Sequence, residues 1–228
     1  MTLTADTTST PRIALIHATT AAIAPAVAGM NTVFPGAEVW NILDDRLLPD
    51  ADAHGGLAPH LVERMSRLID LARTNGAAGV LLTCSMYGSV AQATMADVPV
   101  LSPDEAAFEK ALAANYGSVL MVASFESALN DSVARFAEFL KANGSATKVV
   151  GETVPAAFIA TKAEDVSALT AALIEAAEPY IGSVDAVLLG QYSLAPAAIA
   201  LEEALGLPVI SGPQSAALKL KSAVSALR

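Results

Sequence analysis

Cys84 is the one thiol in a chain of 228 residues, and it stands in VLLTCSMYGSV (80–90), where an apolar run ends and a helical pattern begins. A thiol at such a place can work as a general acid/base or as a nucleophile. The plain alternative is a small buried hydrophobe, the usual role of a free cysteine. Ser85, next in the chain, can cap the helix, and a cap pointing into a cleft would also bind a carboxylate. His17 closes RIALIH and precedes Ala18-Thr19-Thr20. An imidazole that titrates near neutrality suits a base or a carboxylate donor at a cleft mouth, and Thr19 or Thr20 reads as a helix cap. Tyr192, within Gly190-Gln191-Tyr192-Ser193, offers a phenol that could donate to developing charge or supply a proton.

These residues need a scaffold. Hydrophobic residues make up 54% and charged residues 16%, as in a protein with a large core. The length fits one large α/β domain or two small lobes. No apolar stretch reaches the roughly 18 residues of a membrane span, and the N-terminus lacks the pattern of a signal peptide. One cysteine forms no internal disulfide and no CxxC pair, which points to a reducing cytoplasm. The net charge of −10 argues against a nucleic-acid partner. It leaves room for an anionic small ligand, because local backbone dipoles can outweigh net charge.

Short β-rich runs alternate with Ala/Leu-rich helical patterns. Strands are predicted at 12–17, 38–43, 79–83, 98–101, 118–123, 147–150, 186–190 and 208–210. Helices are predicted at 57–74, 104–115, 127–142, 165–177, 196–205 and 214–227. Near-continuous apolar strands separated by helices predict parallel sheet covered on both faces, with ligands at the carboxyl ends of the strands. The polar segment 41–60 is long for a connection and reads as a lid over the cleft. Its aspartates and histidines match no metal-ligand spacing, and no GxGxxG or GxxxxGK[ST] occurs, so neither a metal nor a nucleotide cofactor is expected. The pair Asp104-Glu105 reads as a helix start.

The chain repeats itself. VLLTCSM (Val80 to Met86) lines up with VLLGQYS (Val187 to Ser193), 107 residues on, and IALIHA (Ile13 to Ala18) with VLMVAS (Val119 to Ser124), 106 residues on. VPVLSPDEAA lines up with LPVISGPQSAA, 109 residues later at its start. Two similar α/β halves, related by a pseudo-twofold, would put Cys84 and Gln191 at equivalent strand tips across a shared cleft. The expected division is a flexible tail at 1–11, a first lobe at 12–116 plus 212–228, and a second lobe at 117–211.

With Cys84-Ser85-Met86 ending one strand and Gly190-Gln191-Tyr192 ending its repeat, the sequence resembles the aspartate/glutamate/hydantoin racemase superfamily, which includes maleate isomerase and arylmalonate decarboxylase. The resemblance implies two pseudosymmetric, flavodoxin-like α/β lobes with the site between them. It also implies cofactor-independent chemistry at a carbon alpha to a carboxylate, a small-molecule carboxylate substrate as the partner, and a homodimer or higher homo-oligomer. In that family paired cysteines remove and return a proton from opposite faces, and a helix N-terminus would favour the thiolate. Here Gln191 replaces the second cysteine, which removes two-thiol racemisation and leaves one-face proton transfer or decarboxylation through Cys84. The resemblance makes Cys84, Tyr192 and His17 the catalytic candidates. Ser85, Met86, Thr19, Ser124, Phe125, Ser127 and Gln191 are the substrate-binding ones. A non-catalytic carboxylate-binding protein, or a cysteine hydrolase pairing Cys84 with His17, are the alternatives.

Overall fold

The computed structural model describes residues 10–227, so the tail expected at 1–11 lies outside the described residues except for residues 10 and 11. The strands are β1 (Arg12–His17), β2 (Glu38–Leu43), β3 (Gly79–Leu82), β4 (Val100–Leu101), β5 (Ser118–Ala123), β6 (Lys148–Thr153), β7 (Ala186–Leu189) and β8 (Val209–Ser211). The α-helices of the first half are α1 (Ile23–Val33), α2 (Leu47–Ala53), α3 (Pro59–Thr74), α4 (Gly88–Ala93) and α5 (Glu105–Ala114). Those that follow are α6 (Glu126–Ala142), α7 (Pro155–Lys162), α8 (Val166–Ala177), α9 (Ala198–Leu205) and α10 (Gly212–Ala226).

The strands form two four-stranded sheets with the orders β2-β1-β3-β4 and β6-β5-β7-β8. All strand pairs within them are parallel. Each repeated segment of sequence falls on equivalent strands: β1 with β5, β3 with β7, β4 with β8. Strands β1, β3, β5 and β7 are buried almost throughout, because helices cover both faces of each sheet.

The helices that follow the two last strands change sides. Helix α5 leaves β4 of the first sheet, yet Ala107, Phe108 and Ala111 pack with Val119, Met121 and Phe136 of the second. Helix α10 leaves β8 of the second sheet, yet Ala217, Leu220 and Val224 pack with Ile13, Leu15 and Leu81 of the first. A division at residue 116 therefore follows the chain but not the packing of α5. Lys219 on α10 joins the two crossing helices, with Nζ 2.6 Å from both Glu105 Oε1 and Glu109 Oε1.

Helices α1, α2 and α7 fall where no helix is expected from sequence. In α1, Pro25 sits in the first turn, where its missing N–H costs nothing. Gly29 lets α1 approach α10 closely: a Cβ there would lie 2.8 Å from both the carbonyl carbon and the oxygen of Pro213. Gly29→Ala is expected to destabilise the fold by about 1–3 kcal/mol, because backbone cannot yield as a side chain can. That cost must exceed the roughly 1 kcal/mol of helix propensity that alanine gains. Urea unfolding checks it, and a variant as stable as the parent would refute the close crossing.

The segment 41–60 is not a free lid. Leu47 and Ala51 of α2 are in the core, and Tyr87 donates its hydroxyl proton to the Leu47 carbonyl at 2.8 Å. Arg64 of α3 grips Asp44 through two nitrogens at 2.6 and 2.7 Å and reaches Asp50 at 3.3 Å. Two of the aspartates that make this segment look solvated, Asp44 and Asp50, are tied to α3 by ion pairs. Among the described residues, no helix is long and apolar enough to cross a membrane.

Candidate active site

Strands β3 and β7 end in the same way. After β3, Cys84 is extended (φ −117°, ψ 118°) and a 3₁₀ turn, Ser85–Tyr87, leads into α4. After β7, Gln191 is extended (φ −140°, ψ 144°) and a 3₁₀ turn, Tyr192–Ala197, leads into α9. The buried strands end at the sheet rim, and the extended residue aims its side chain into the space between the halves. That space is a cavity of about 70 Å³, lined by both strand ends.

Of the residues singled out from sequence, Cys84, Ser85, Met86, Thr19, Phe125, Ser127, Gln191 and Tyr192 line this cavity. Ser124 and His17 are not among its lining residues. The wall also includes apolar Leu48 and Ala128 and two carboxylates, Asp104 and Asp131. Among the described residues it contains no lysine, arginine or histidine.

The thiol does not have the acidity that a helix start would give it. Burial is the largest influence and pushes Cys84 up to about 11. The backbone N–H groups of Met86 and Tyr87 pull it down, and Asp104 pushes it up further. The donors of the turn are present, but burial and a neighbouring carboxylate outweigh them. Cys84 is therefore a protonated thiol at neutral pH, and the expectation of a thiolate is corrected.

Tyr192 puts its ring, not its proton, into the cavity. Its hydroxyl donates to the Pro103 carbonyl at 3.3 Å. Burial, followed by Asp104, raises the phenol well above its ordinary value. A Cβ on Gly212 would lie 2.5 Å from the ring, so glycine there is what lets the ring fit. The expectation of an opposite-face proton from Tyr192 does not match this orientation.

His17 is fully buried, not at a cleft mouth. Its Nδ1 lies 2.9 Å from Thr83 Oγ1 and its Nε2 lies 2.9 Å from Asn41 Oδ1. The Asn41 amide oxygen only accepts, so Nε2 carries the ring proton that reaches it, while the Thr83 hydroxyl beside Nδ1 is also placed to donate to the Ile16 carbonyl at 3.2 Å. Both nitrogens thus face protein partners and His17 does not line the cavity, which leaves it unavailable as the base of a cysteine hydrolase. Burial lowers its pKa, and the Asn41 hydrogen bond offsets this in part. The unfolded chain then takes up a proton near pH 6.5 that the folded state refuses. Stability should fall as pH drops below about 6.5 and level off below the folded pKa. Thermal unfolding from neutral to acid pH should fall more steeply for the wild type than for His17→Gln, and parallel curves would refute the buried neutral imidazole.

Ser124 serves the protein before any ligand. Its backbone N–H and its hydroxyl both donate to Gln191 Oε1, each at 2.7 Å. Its expected role as a carboxylate donor is corrected accordingly.

The group that sequence reasoning missed is an ion cluster that joins two of the cavity's lining residues, Asp104 and Asp131, through Arg135. Arg135 Nη1 lies 2.5 Å from Asp104 Oδ2, and Nε lies 2.9 Å from Asp131 Oδ2. The guanidinium stands 5.8 Å from the Phe108 ring centroid. Burial raises the Asp104 pKa and Arg135 pulls it back, while its two carboxylates hold Arg135 firmly charged. Asp104 does precede α5, but its place just after β4 was the signal that it could face the site. Among the described residues, no group of three His, Cys, Asp or Glu side chains is placed to hold a metal ion.

Comparison with known proteins fits this architecture. The sequence profile described as Asp/Glu/Hydantoin racemase matches residues 51–220. Among solved structures, an aspartate racemase from Picrophilus torridus is similar with a TM-score of 0.73 at 14% identity, over 93% of this chain and 94% of that one. An allantoin racemase from Klebsiella pneumoniae is similar with a TM-score of 0.67 at 21% identity, over 95% of this chain and 88% of that one. A glutamate racemase from Bacillus anthracis gives 0.74 at 14% identity, over 95% and 82% of the two chains. At these identities the likeness is one of fold. No curated protein matches the sequence.

Proposed function

This chain belongs to the Asp/Glu/hydantoin racemase family, and we propose that it carries out cofactor-independent proton transfer on one face of a carbon alpha to a carboxylate, with Cys84 as the proton donor. The observation that carries this reading is the pairing of one protonated thiol with one carboxamide at equivalent strand ends lining one cavity. A thiolate would remove an α-proton; a thiol held near 11 is set to deliver one. Gln191 has no proton to exchange, and the Tyr192 hydroxyl is committed to Pro103. Two-face racemisation therefore lacks its second carrier.

Decarboxylation suits these parts best. The C–CO₂ bond breaks, carbon dioxide leaves, and its electron pair passes into an enediolate on the remaining carboxylate. The Cys84 S–H then protonates the α-carbon, and solvent reprotonates the sulfur. A wall with apolar Leu48, Ala128 and Phe125 and no cation favours loss of the carboxylate that faces it. Ser85, Ser127 and Thr19 supply neutral donors for the carboxylate that stays. The raised Cys84 pKa also favours a second reading, a carboxylate-binding protein without chemistry, because an idle thiol need not ionise.

Incubation in D₂O with amino acids, hydroxy acids and substituted malonates, followed by proton NMR, tests the proposal. Deuterium at the α-carbon, of one configuration and lost in Cys84→Ser, is the expected result, with CO₂ release marking the decarboxylase. α-Deuteration that survives in Cys84→Ser would overturn it.

A further inference from the structure

We propose that the Gln191 carboxamide is a polarity-locked hydrogen-bond donor that receives the substrate's carboxylate or enediolate oxygen opposite Cys84, and that Ser124 is the residue that positions it. The inference rests on the one-face reading above and assigns the second half of the site.

An amide side chain can turn over, exchanging its oxygen for its nitrogen. At Gln191 it cannot do so without loss. Two donors, the Ser124 N–H and hydroxyl, converge on Oε1 at 2.7 Å each. Turning the amide over would set its NH₂ against the backbone N–H, donor against donor. Ser124 itself is only 4% exposed, at the end of β5, so water does not replace its bonds. With Oε1 occupied, Nε2 is the end left to donate. Among the described residues it has no protein acceptor, while Gln191 lines the cavity.

The repeat gives independent support. In the alignment of Ile13–Ala18 with Val119–Ser124, the residue equivalent to Ser124 is Ala18, in the half whose strand tip carries Cys84. The half that carries the amide has the hydroxyl that fixes it; the half that carries the thiol does not. The cavity also makes a neutral donor useful. Its lining among the described residues has Asp104 and Asp131 and no cationic side chain, so an oxyanion there is met by N–H and O–H groups. A carboxamide holds that charge and cannot return a proton, which confines exchange to the thiol's face.

Side-chain NMR of the uniformly ¹⁵N-labelled chain tests this with acetate, malonate and phenylacetate as probes. The Gln191 NH₂ pair is identified by its loss in Gln191→Glu. It should move downfield and saturate with at least one probe. Ser124→Ala should weaken that probe's affinity roughly three- to tenfold, the worth of one hydrogen bond. Ser124→Thr, which keeps the hydroxyl, should restore it. Silence of the Gln191 pair with all three probes would overturn the proposal, as would equal affinity in Ser124→Ala. Cys84→Ser should keep the Gln191 response. A response there without α-deuteration by the wild type would sink the reaction and spare this inference; α-deuteration with a silent Gln191 pair would do the reverse.

Discussion

Cys84→Ser is expected to lower α-proton transfer by about 10²- to 10⁴-fold, the usual contribution of a positioned acid or base. Serine keeps the size and a hydrogen-bonding group, but its hydroxyl is a far weaker acid than a thiol. The pH profile separates the two roles a thiol can play. With Cys84 held at about 11, roughly one molecule in ten thousand carries a thiolate at pH 7. If Cys84 donates a proton, turnover should be flat through neutral pH and fall only as the thiol ionises toward 11. If it removes a proton, turnover should climb tenfold per pH unit over the same range. A flat profile supports the donor role; a climbing one would sink it. Asp104→Asn adds a signed check. Asp104 pushes the thiol upward, so the alkaline limb should move to lower pH in that variant.

Removing Arg135 is expected to cause the largest loss of stability. Arg135→Met deletes the cation between Asp104 and Asp131 while filling much the same space. Arg135 and Asp104 side chains are 25% and 13% exposed, so solvent can do little for the orphaned carboxylate. Breaking a buried pair from one side costs about 3–5 kcal/mol. The loss should depend on pH in a definite sense. Burial already holds Asp104 above its ordinary pKa, and without Arg135 it rises further. A group with a raised folded pKa stabilises the fold once protonated. The variant's deficit should thus be greatest at neutral pH and shrink as pH falls through the Asp104 pKa. Asp104→Asn combined with Arg135→Met should recover part of the loss, since no buried charge remains unpaired. Urea unfolding of the single and double variants measures this. A neutral-pH deficit below about 1 kcal/mol, within the range of a surface pair, would refute the buried cluster.

The ion cluster, His17 and Ser124 mark where reading the sequence stopped short. Apolar runs such as IALI and VLL announced buried parallel strands, and the repeat paired them correctly between the sheets. The crossing of α5 and α10 was not legible, because an amphipathic helix does not state which sheet its apolar face will meet. The helical pattern of α1 was hidden by Pro25 and Gly29. One is harmless in a first turn, and the other serves a contact with Pro213, 184 positions away in the chain.

The sequence by itself determined the alternation of strand and helix, the repeat, and the arrival of Cys84 and Gln191 at equivalent strand ends. These follow from local patterning, since a strand that leaves the core must end where its apolar run ends. Only the tertiary structure decided what those side chains are. Burial made Cys84 a thiol and sealed His17 between Thr83 and Asn41; Ser124 gave Gln191 its polarity; Arg135 crossed from α6 to balance Asp104. Protonation and hydrogen-bond direction depend on desolvation and on partners far away in the chain, and both come into being only when the two halves close on one cavity.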